Sequence, residues 1–191
     1  AYMAEAHGKL TGRPGVCLVT RGPGATNASV GVHTAFQDST PMVLFVGDVG
    51  SDCRDREAFQ EIDYRRMFSE VAKWVAQIDD ADRIPEYLNR AFSVATSGRP
   101  GPVVIALPED MLCELAEAQD RPRVERVAQA PEPMQMAALA DALKAAKNPI
   151  AIIGGAGWTP EAARNFQSFA ESWGLPVAAG FRRQDAISNG S

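Results

Sequence analysis

Val16-Cys17-Leu18-Val19-Thr20-Arg21-Gly22-Pro23-Gly24-Ala25-Thr26-Asn27 runs from an apolar strand through a glycine-proline-glycine turn straight into a helix. Without Cβ atoms, Gly22 and Gly24 let another group come close to the backbone, Pro23 fixes one φ angle, and the N–H groups that open a helix point outward. Strand handed directly to helix is the grammar of α/β folds. The same turn serves equally as a ligand cradle or as plain punctuation, so the rest of the chain has to decide between them.

Working outward, the hand-over repeats. Ala1 to Ala6 already lies within a helical pattern, Thr11-Gly12-Arg13-Pro14-Gly15 makes a turn, and Val16 to Thr20 is the first strand. The spacing predicts a helix over 25–38. Pro41-Met42-Val43-Leu44-Phe45-Val46-Gly47 is a continuous apolar run, as expected of a strand buried on both faces. A long polar loop is predicted next. Ile84, Tyr87, Leu88, Ala91, Phe92 and Ala95 then form an amphipathic stripe, with Asp79, Asp80 and Asp82 as candidate caps. Pro102-Val103-Val104-Ile105-Ala106-Leu107-Pro108 is a second buried strand, so the first part reads as βαβ units winding an open parallel sheet flanked by helices.

Apolar periodicity collapses between Glu114 and Gln135, where Pro122, Pro131 and Pro133 stand among charged residues, as in an interdomain linker. The expected organisation is therefore a first domain over 1–113, a linker over 114–135, and a second α/β domain over 136–191. In the second, Met136, Leu139, Ala140 and Leu143 mark a helix and Ile150 to Ile153 a strand. Phe166, Phe169, Ala170 and Trp173 mark another helix, with Thr159 and Pro160 suited to its start and Gly174 to its end. Leu175 to Ala179 is a further strand. The chain has no initiator methionine or signal peptide and stops just after a strand and a basic loop, so both ends read as cut.

Composition narrows the chemistry. Hydrophobic residues make up 46% and charged residues 23% of the 191, and no apolar run nears the roughly 18 residues that span a bilayer. The net charge is -5 with scattered Lys and Arg, which leaves no footprint for nucleic acid or an anionic membrane. Cys17, Cys53 and Cys113 are odd in number and far apart, which argues against a disulfide framework or zinc knuckle and for a cytoplasmic protein.

Candidate chemistry is sparse outside the opening stretch. Gly154-Gly155-Ala156-Gly157 sits between strand and helix, yet Pro160 occupies the third glycine position of a dinucleotide fingerprint and Ala178-Ala179-Gly180 replace its ribose-binding acid. A tight turn or a different nucleotide fits better than NAD. No G-x-S-x-G elbow is present, His7 and His33 stand alone, and Asp48, Asp52, Asp55 and Glu57 lack metal-ligand spacing. Phe59-Gln60-Glu61-Ile62-Asp63 places an aromatic and an amide in the long loop, either as a pocket wall or with Phe59 anchoring the loop to the core.

Four motifs in register then point to a family. T-R-G-P-G-A-T-N at 20–27, D-S-T-P-M-V at 38–43, A-F-Q-E-I-D at 58–63 and S-G-R-P-G-P-V at 97–103 closely resemble the thiamine-diphosphate enzymes of the acetolactate synthase type. The resemblance covers essentially the whole chain: a pyrimidine-binding domain without its beginning, a linker, and the first part of a Rossmann-like central domain. It implies thiamine diphosphate held with Mg²⁺ between this domain and the diphosphate-binding domain of another subunit in a homo-oligomer, acting on a small 2-oxo acid by decarboxylation or carboligation. Pro23, Gly24, Asn27 and Gln60 would then contact the cofactor, and Phe59 would line the reaction site.

The family's glutamate, which hydrogen-bonds the pyrimidine and promotes its proton-transferring tautomer, precedes the segment matching Ala1 to Glu5. Glu5 therefore does not inherit that role, and no catalytic residue is assigned within the chain. The G-D-G…N metal motif belongs to the family's third domain. Gly47-Asp48-Val49 lacks its second glycine, so no metal ligand is assigned, and the fragment alone is expected to be inert. Some relatives bind FAD structurally, which would make Arg99 and Gly155 the flavin candidates. Two positions depart from true acetohydroxyacid synthases: Asp48 stands where G-Q-V is typical, and Glu109 stands where L-P-K-D has a lysine. Acetolactate formation itself is thus left open. The competing reading is a noncatalytic nucleotide- or flavin-binding α/β module that kept the fold.

Overall fold

The computed structural model describes residues 1–125 and 130–190. The chain divides into two compact units, Ala1–Arg126 and Val127–Ser191. In the first, α1 (Tyr2–Thr11), β1 (Gly15–Thr20), α2 (Arg21–Asp38), β2 (Met42–Asp48), α3 (Tyr64–Phe68), β3 (Trp74–Gln77), α4 (Ile84–Thr96) and β4 (Pro102–Pro108) follow one another. The four strands are all parallel, in the order β1-β2-β4-β3.

The apolar runs explain that order. β2 and β4 occupy the interior, and successive side chains of a strand point to opposite faces, so both faces need apolar residues. Leu44, Val46, Val104 and Ala106 pack with Ala25, Ala28, Val32 and Ala35 of α2 and with Phe68 of α3. Val43, Val103 and Ile105 pack on the other face with Ala91 and Ala95 of α4. Truncating a residue such as Leu44 to Ala would cost about 2–5 kcal/mol. β1 is an edge strand, and its Val16 and Leu18 are exposed.

Three local expectations need correction. α2 begins at Arg21 with Thr20 as its N-cap, not at 25, so Gly22-Pro23-Gly24 is the first turn of the helix rather than a turn before it. Proline is compatible with a first turn because its missing N–H has no helical partner there. The long polar loop after β2 also contains α3 and β3. Asp63 caps α3 by accepting the Arg66 N–H at 3.1 Å, and Tyr64 and Phe68, one turn apart, are buried. A five-residue helix and a four-residue edge strand are too short to display a period. Finally, the acids before α4 do not cap it: Arg83 is the N-cap, Asp80 accepts from Asp82 N–H at 2.9 Å in a preceding 3₁₀ turn, and Asp79 pairs with Arg54 at 3.3 Å.

The second unit carries α5 (Pro133–Ala145), β5 (Ala151–Ile153), α6 (Pro160–Trp173) and β6 (Val177–Ala179), with β5 and β6 parallel. Thr159 accepts the Ala162 N–H at 3.0 Å, Pro160 opens α6, and Gly174 closes it at φ 58°, as the sequence spacing predicts. α5 starts earlier than its apolar stripe, with Glu132 accepting the Gln135 N–H, and Met136 and Leu139 are exposed. Among the described residues no helix is long and apolar enough to cross a membrane.

Candidate functional site

Parallel strands deliver their carboxyl ends, and the segments that follow them, to one edge of the sheet. At that edge β1 leads into α2, β2 into the loop over 49–63, and β4 into Glu109 and Asp110. The loop lies against the first turn of α2: the Gly22 N–H donates to the Gln60 carbonyl at 3.0 Å. A Cβ on Gly22 would come within 2.9 Å of that carbonyl oxygen and 2.8 Å of Ile62 Cδ1. The absent Cβ therefore admits the protein's own loop to the backbone here. Pro23 and Asn27, one helical turn apart and so on one face, are exposed, with Gly24 half-buried between them.

The loop is built to hold its shape. Asp55, Glu57 and Gln60 all take left-handed conformations, at φ 62°, 54° and 67°. Such non-glycine geometry persists only where surrounding contacts impose it. Glu61 supplies some of them, accepting the N–H groups of Asp55 at 2.7 Å and Ala58 at 3.0 Å, bonds that hold its carboxyl below the usual range. Phe59 is 76% exposed, so its ring does not anchor the loop to the core. Its carbonyl does the holding, accepting from Arg21 Nη1 at 3.2 Å while Arg21 Nη2 meets Glu109 at 2.8 Å. Main-chain bonds thus bring Phe59 and Gln60 beside the turn that carries Pro23, Gly24 and Asn27.

Two buried polar groups lie close by. Burial pushes the Asp48 carboxyl up, and its Oδ1 accepts the Val49 N–H at 2.9 Å. Asp48 is the last residue of β2. Tyr64 is buried, its hydroxyl has no hydrogen-bond partner among the described residues, and burial raises it to about 12. A cavity of about 620 Å³ is lined by residues that include Asp48, Arg54, Glu61, Tyr64 and Gln77. Among the described residues no three His, Cys, Asp or Glu side chains cluster as metal ligands.

The donor set discriminates between ligand types. Of the four N–H groups that open α2, Gly22's is taken by Gln60 and Pro23 has none, which leaves at most those of Thr20 and Arg21. The Arg21 guanidinium is paired with Glu109. A phosphate would find few donors here. A proline ring, glycine backbone, the carboxamides of Asn27 and Gln60 and the Phe59 ring suit a neutral planar heterocycle instead.

The remaining candidates belong to other segments of the chain. Arg99 donates from Nε to Ser39 Oγ at 2.7 Å and from Nη2 to the Phe36 and Gln37 carbonyls at 3.3 and 3.4 Å, at the carboxyl end of α2. That is the opposite end of the helix from Pro23, about 21 Å of rise between Pro23 and Gln37. Gly155 follows β5 in the second unit at φ 78°, and its carbonyl accepts from Arg183 Nε at 2.7 Å. Glu5 is buried in α1, where its Oε1 accepts from the Thr40 hydroxyl at 3.4 Å. Sequence reasoning missed Arg21, whose only signal was a long cation at a strand-to-helix junction, and saw Glu109 solely as a departure.

Comparison with known proteins places the chain in a family. Residues 1–67 match the model of the thiamine pyrophosphate enzyme N-terminal TPP binding domain, and residues 136–191 match that of the thiamine pyrophosphate enzyme central domain. The acetolactate synthase large subunit of Haemophilus influenzae is 36% identical over 93% of this chain and 32% of its own length. Acetolactate synthase of Bacillus subtilis is 31% identical over 98% of this chain and 33% of its own length. The mitochondrial acetolactate synthase catalytic subunit of Saccharomyces cerevisiae is 44% identical over 58% of this chain and 16% of its own length. The chain thus spans about a third or less of the curated relatives it matches. Family models at both ends and relatives across nearly its whole length agree: the chain belongs to the acetolactate synthase-like thiamine pyrophosphate enzymes.

Proposed function

We propose that this chain supplies the pyrimidine-facing half of a thiamine-diphosphate site in an enzyme that decarboxylates 2-oxo acids or uses them in carboligation. The observation that carries the reading is the Phe59–Gln60 segment docked on the neutral face of the α2 start. Pro23 and Gly24 would bound the ring, the Asn27 and Gln60 carboxamides would orient it, and Phe59 would exclude water from the reacting side. When bound, the cofactor supplies an electron sink for the carbon that loses carbon dioxide. No residue of the chain is assigned the proton transfer.

The same proposal includes Mg²⁺ with the diphosphate on another subunit's domain, a homo-oligomer, a cytoplasmic setting, and a domain division at 1–113, 114–135 and 136–191. FAD is different. The Nε and Nη2 donors of Arg99 are taken by the end of α2, which supports a structural role for Arg99 over a flavin contact, and no step is derived through a flavin.

The test is titration of the full-length protein with thiamine diphosphate and Mg²⁺, followed by calorimetry or circular dichroism. Saturable binding that weakens roughly tenfold in Asn27→Ala, about the loss of one hydrogen bond, is expected. Absence of binding would sink the enzyme reading in favour of a noncatalytic module, and a yellow protein with a visible absorbance band would overturn the reading of Arg99.

A further inference from the structure

The turn after β4 carries two adjacent carboxylates, and each reaches one end of the loop over 49–63. Asp110 accepts from the Ser51 N–H at 3.0 Å and from the Ser51 hydroxyl, near the loop's start. Glu109 reaches the far end through an intermediary. Its Oε2 takes Arg21 Nη2 at 2.8 Å, and Nη1 of the same guanidinium donates to the Phe59 carbonyl at 3.2 Å. A planar guanidinium fork serves two acceptors at once in fixed geometry, which a lysine ammonium does less well. Arg21 itself sits at φ 46°, the left-handed region that persists only where contacts on both sides impose it. The pair is partly open to solvent, with side-chain exposures of 26% for Arg21 and 61% for Glu109, so its net attraction is modest. Its effect is on position: one side chain joins the start of α2, the loop and the end of β4.

We propose that Arg21 is a positioning residue which, with Glu109 as its counter-ion, clamps the Phe59–Gln60 segment against the first turn of α2 and so shapes the substrate side of the half-site. The catalytic consequence rests on the proposed thiamine function; the clamp does not. Because Glu109 neutralises it, the guanidinium holds the loop and does not receive the substrate carboxylate.

The experiment uses the full-length enzyme carrying Glu109→Gln, Arg21→Met, both together, or Arg21→Lys. Limited trypsin digestion without cofactor reads cleavage after Arg56. Each single exchange is expected to speed it roughly fivefold, at the upper end for a partly exposed pair. The double variant should match the singles, since both remove one clamp, and Arg21→Lys should recover only part of the protection. The melting midpoint should move by no more than about 2 °C in either single variant. With pyruvate as the 2-oxo acid, KM should rise roughly fivefold while kcat falls by less than about twofold. Wild-type cleavage rates in Glu109→Gln, additive effects in the double variant, or a melting midpoint that falls in step with cleavage would each overturn the clamp. A lower KM in Glu109→Gln would also overturn it, because the freed guanidinium would then be binding substrate. If the wild-type enzyme binds no thiamine diphosphate, the functional reading fails while the digestion still decides the clamp.

Discussion

Replacing Gly22 by alanine sets two effects of known sign against each other. In a helix, Gly→Ala is favourable by up to about 1 kcal/mol, because the unfolded chain loses freedom it would otherwise regain. At Gly22 the new methyl would stand 2.9 Å from the Gln60 carbonyl oxygen and 2.8 and 3.0 Å from Ile62 Cδ1 and Cγ1. The isoleucine tip can rotate away; the carbonyl moves only if the loop backbone moves. Overpacking of this kind costs about 1–3 kcal/mol, and retreat of the loop also loses the bond from the Gly22 N–H to Gln60, about 1 kcal/mol more. The clash wins, and the loop should open more easily by roughly 1–3 kcal/mol. Hydrogen exchange read by mass spectrometry should show faster exchange across residues 20–24 and 55–62, with slower regions of the sheet unchanged. Gly154→Ala is the control: a Cβ there meets nothing within 4 Å, and the change should stay within about 0.5 kcal/mol. A Gly22→Ala protein whose loop exchanges as slowly as wild type would refute the claim that this glycine exists to admit the loop.

Arg99→Met removes three donations to the carboxyl end of α2 and should lower stability to urea by about 1 kcal/mol; unchanged stability with loss of a bound flavin would reverse the reading of this residue. Tyr64→Phe deletes a buried hydroxyl that has no partner among the described residues, so stability near neutral pH should hold or rise by up to about 1–3 kcal/mol. The Tyr64 phenol is raised from 10.0 to about 12, so between those values the folded state keeps a proton that the unfolded chain releases. Stability therefore falls as pH climbs through that window, and Tyr64→Phe should flatten the fall relative to wild type. Glu61 shifts the other way: its carboxyl is held below 4.5 by the Asp55 and Ala58 N–H groups, so its contribution to the loop is present above that value and disappears as pH falls through the lowered one. Trypsin is inactive in that range, so pepsin digestion at the loop, taken relative to cleavage of an unfolded substrate at each pH, should accelerate on acidification in wild type and lose that dependence in Glu61→Gln.

What could be read from the chain alone was whatever repeats or punctuates. The runs at 41–47 and 102–108 declared strands covered on both faces, because an interior parallel strand has no position where a polar side chain meets water. Thr159, Pro160 and Gly174 declared the ends of α6, because capping is decided by neighbours within one turn. Four short motifs in order carried the family. α3 and β3 stayed hidden, being too short for a period, and their burial depends on Phe68 and Ala76 meeting residues distant in sequence. The Gly22-Pro23-Gly24 run was legible as a place of close approach, but not what approaches it. Only the folded chain, by bringing Gln60 to the Gly22 N–H and Glu109 to Arg21 across 88 positions, shows that the protein's own loop fills the space the glycine leaves. Local sequence settles conformations that neighbours control, whereas a contact between distant segments exists only once the sheet has brought the ends of β1, β2 and β4 to one edge.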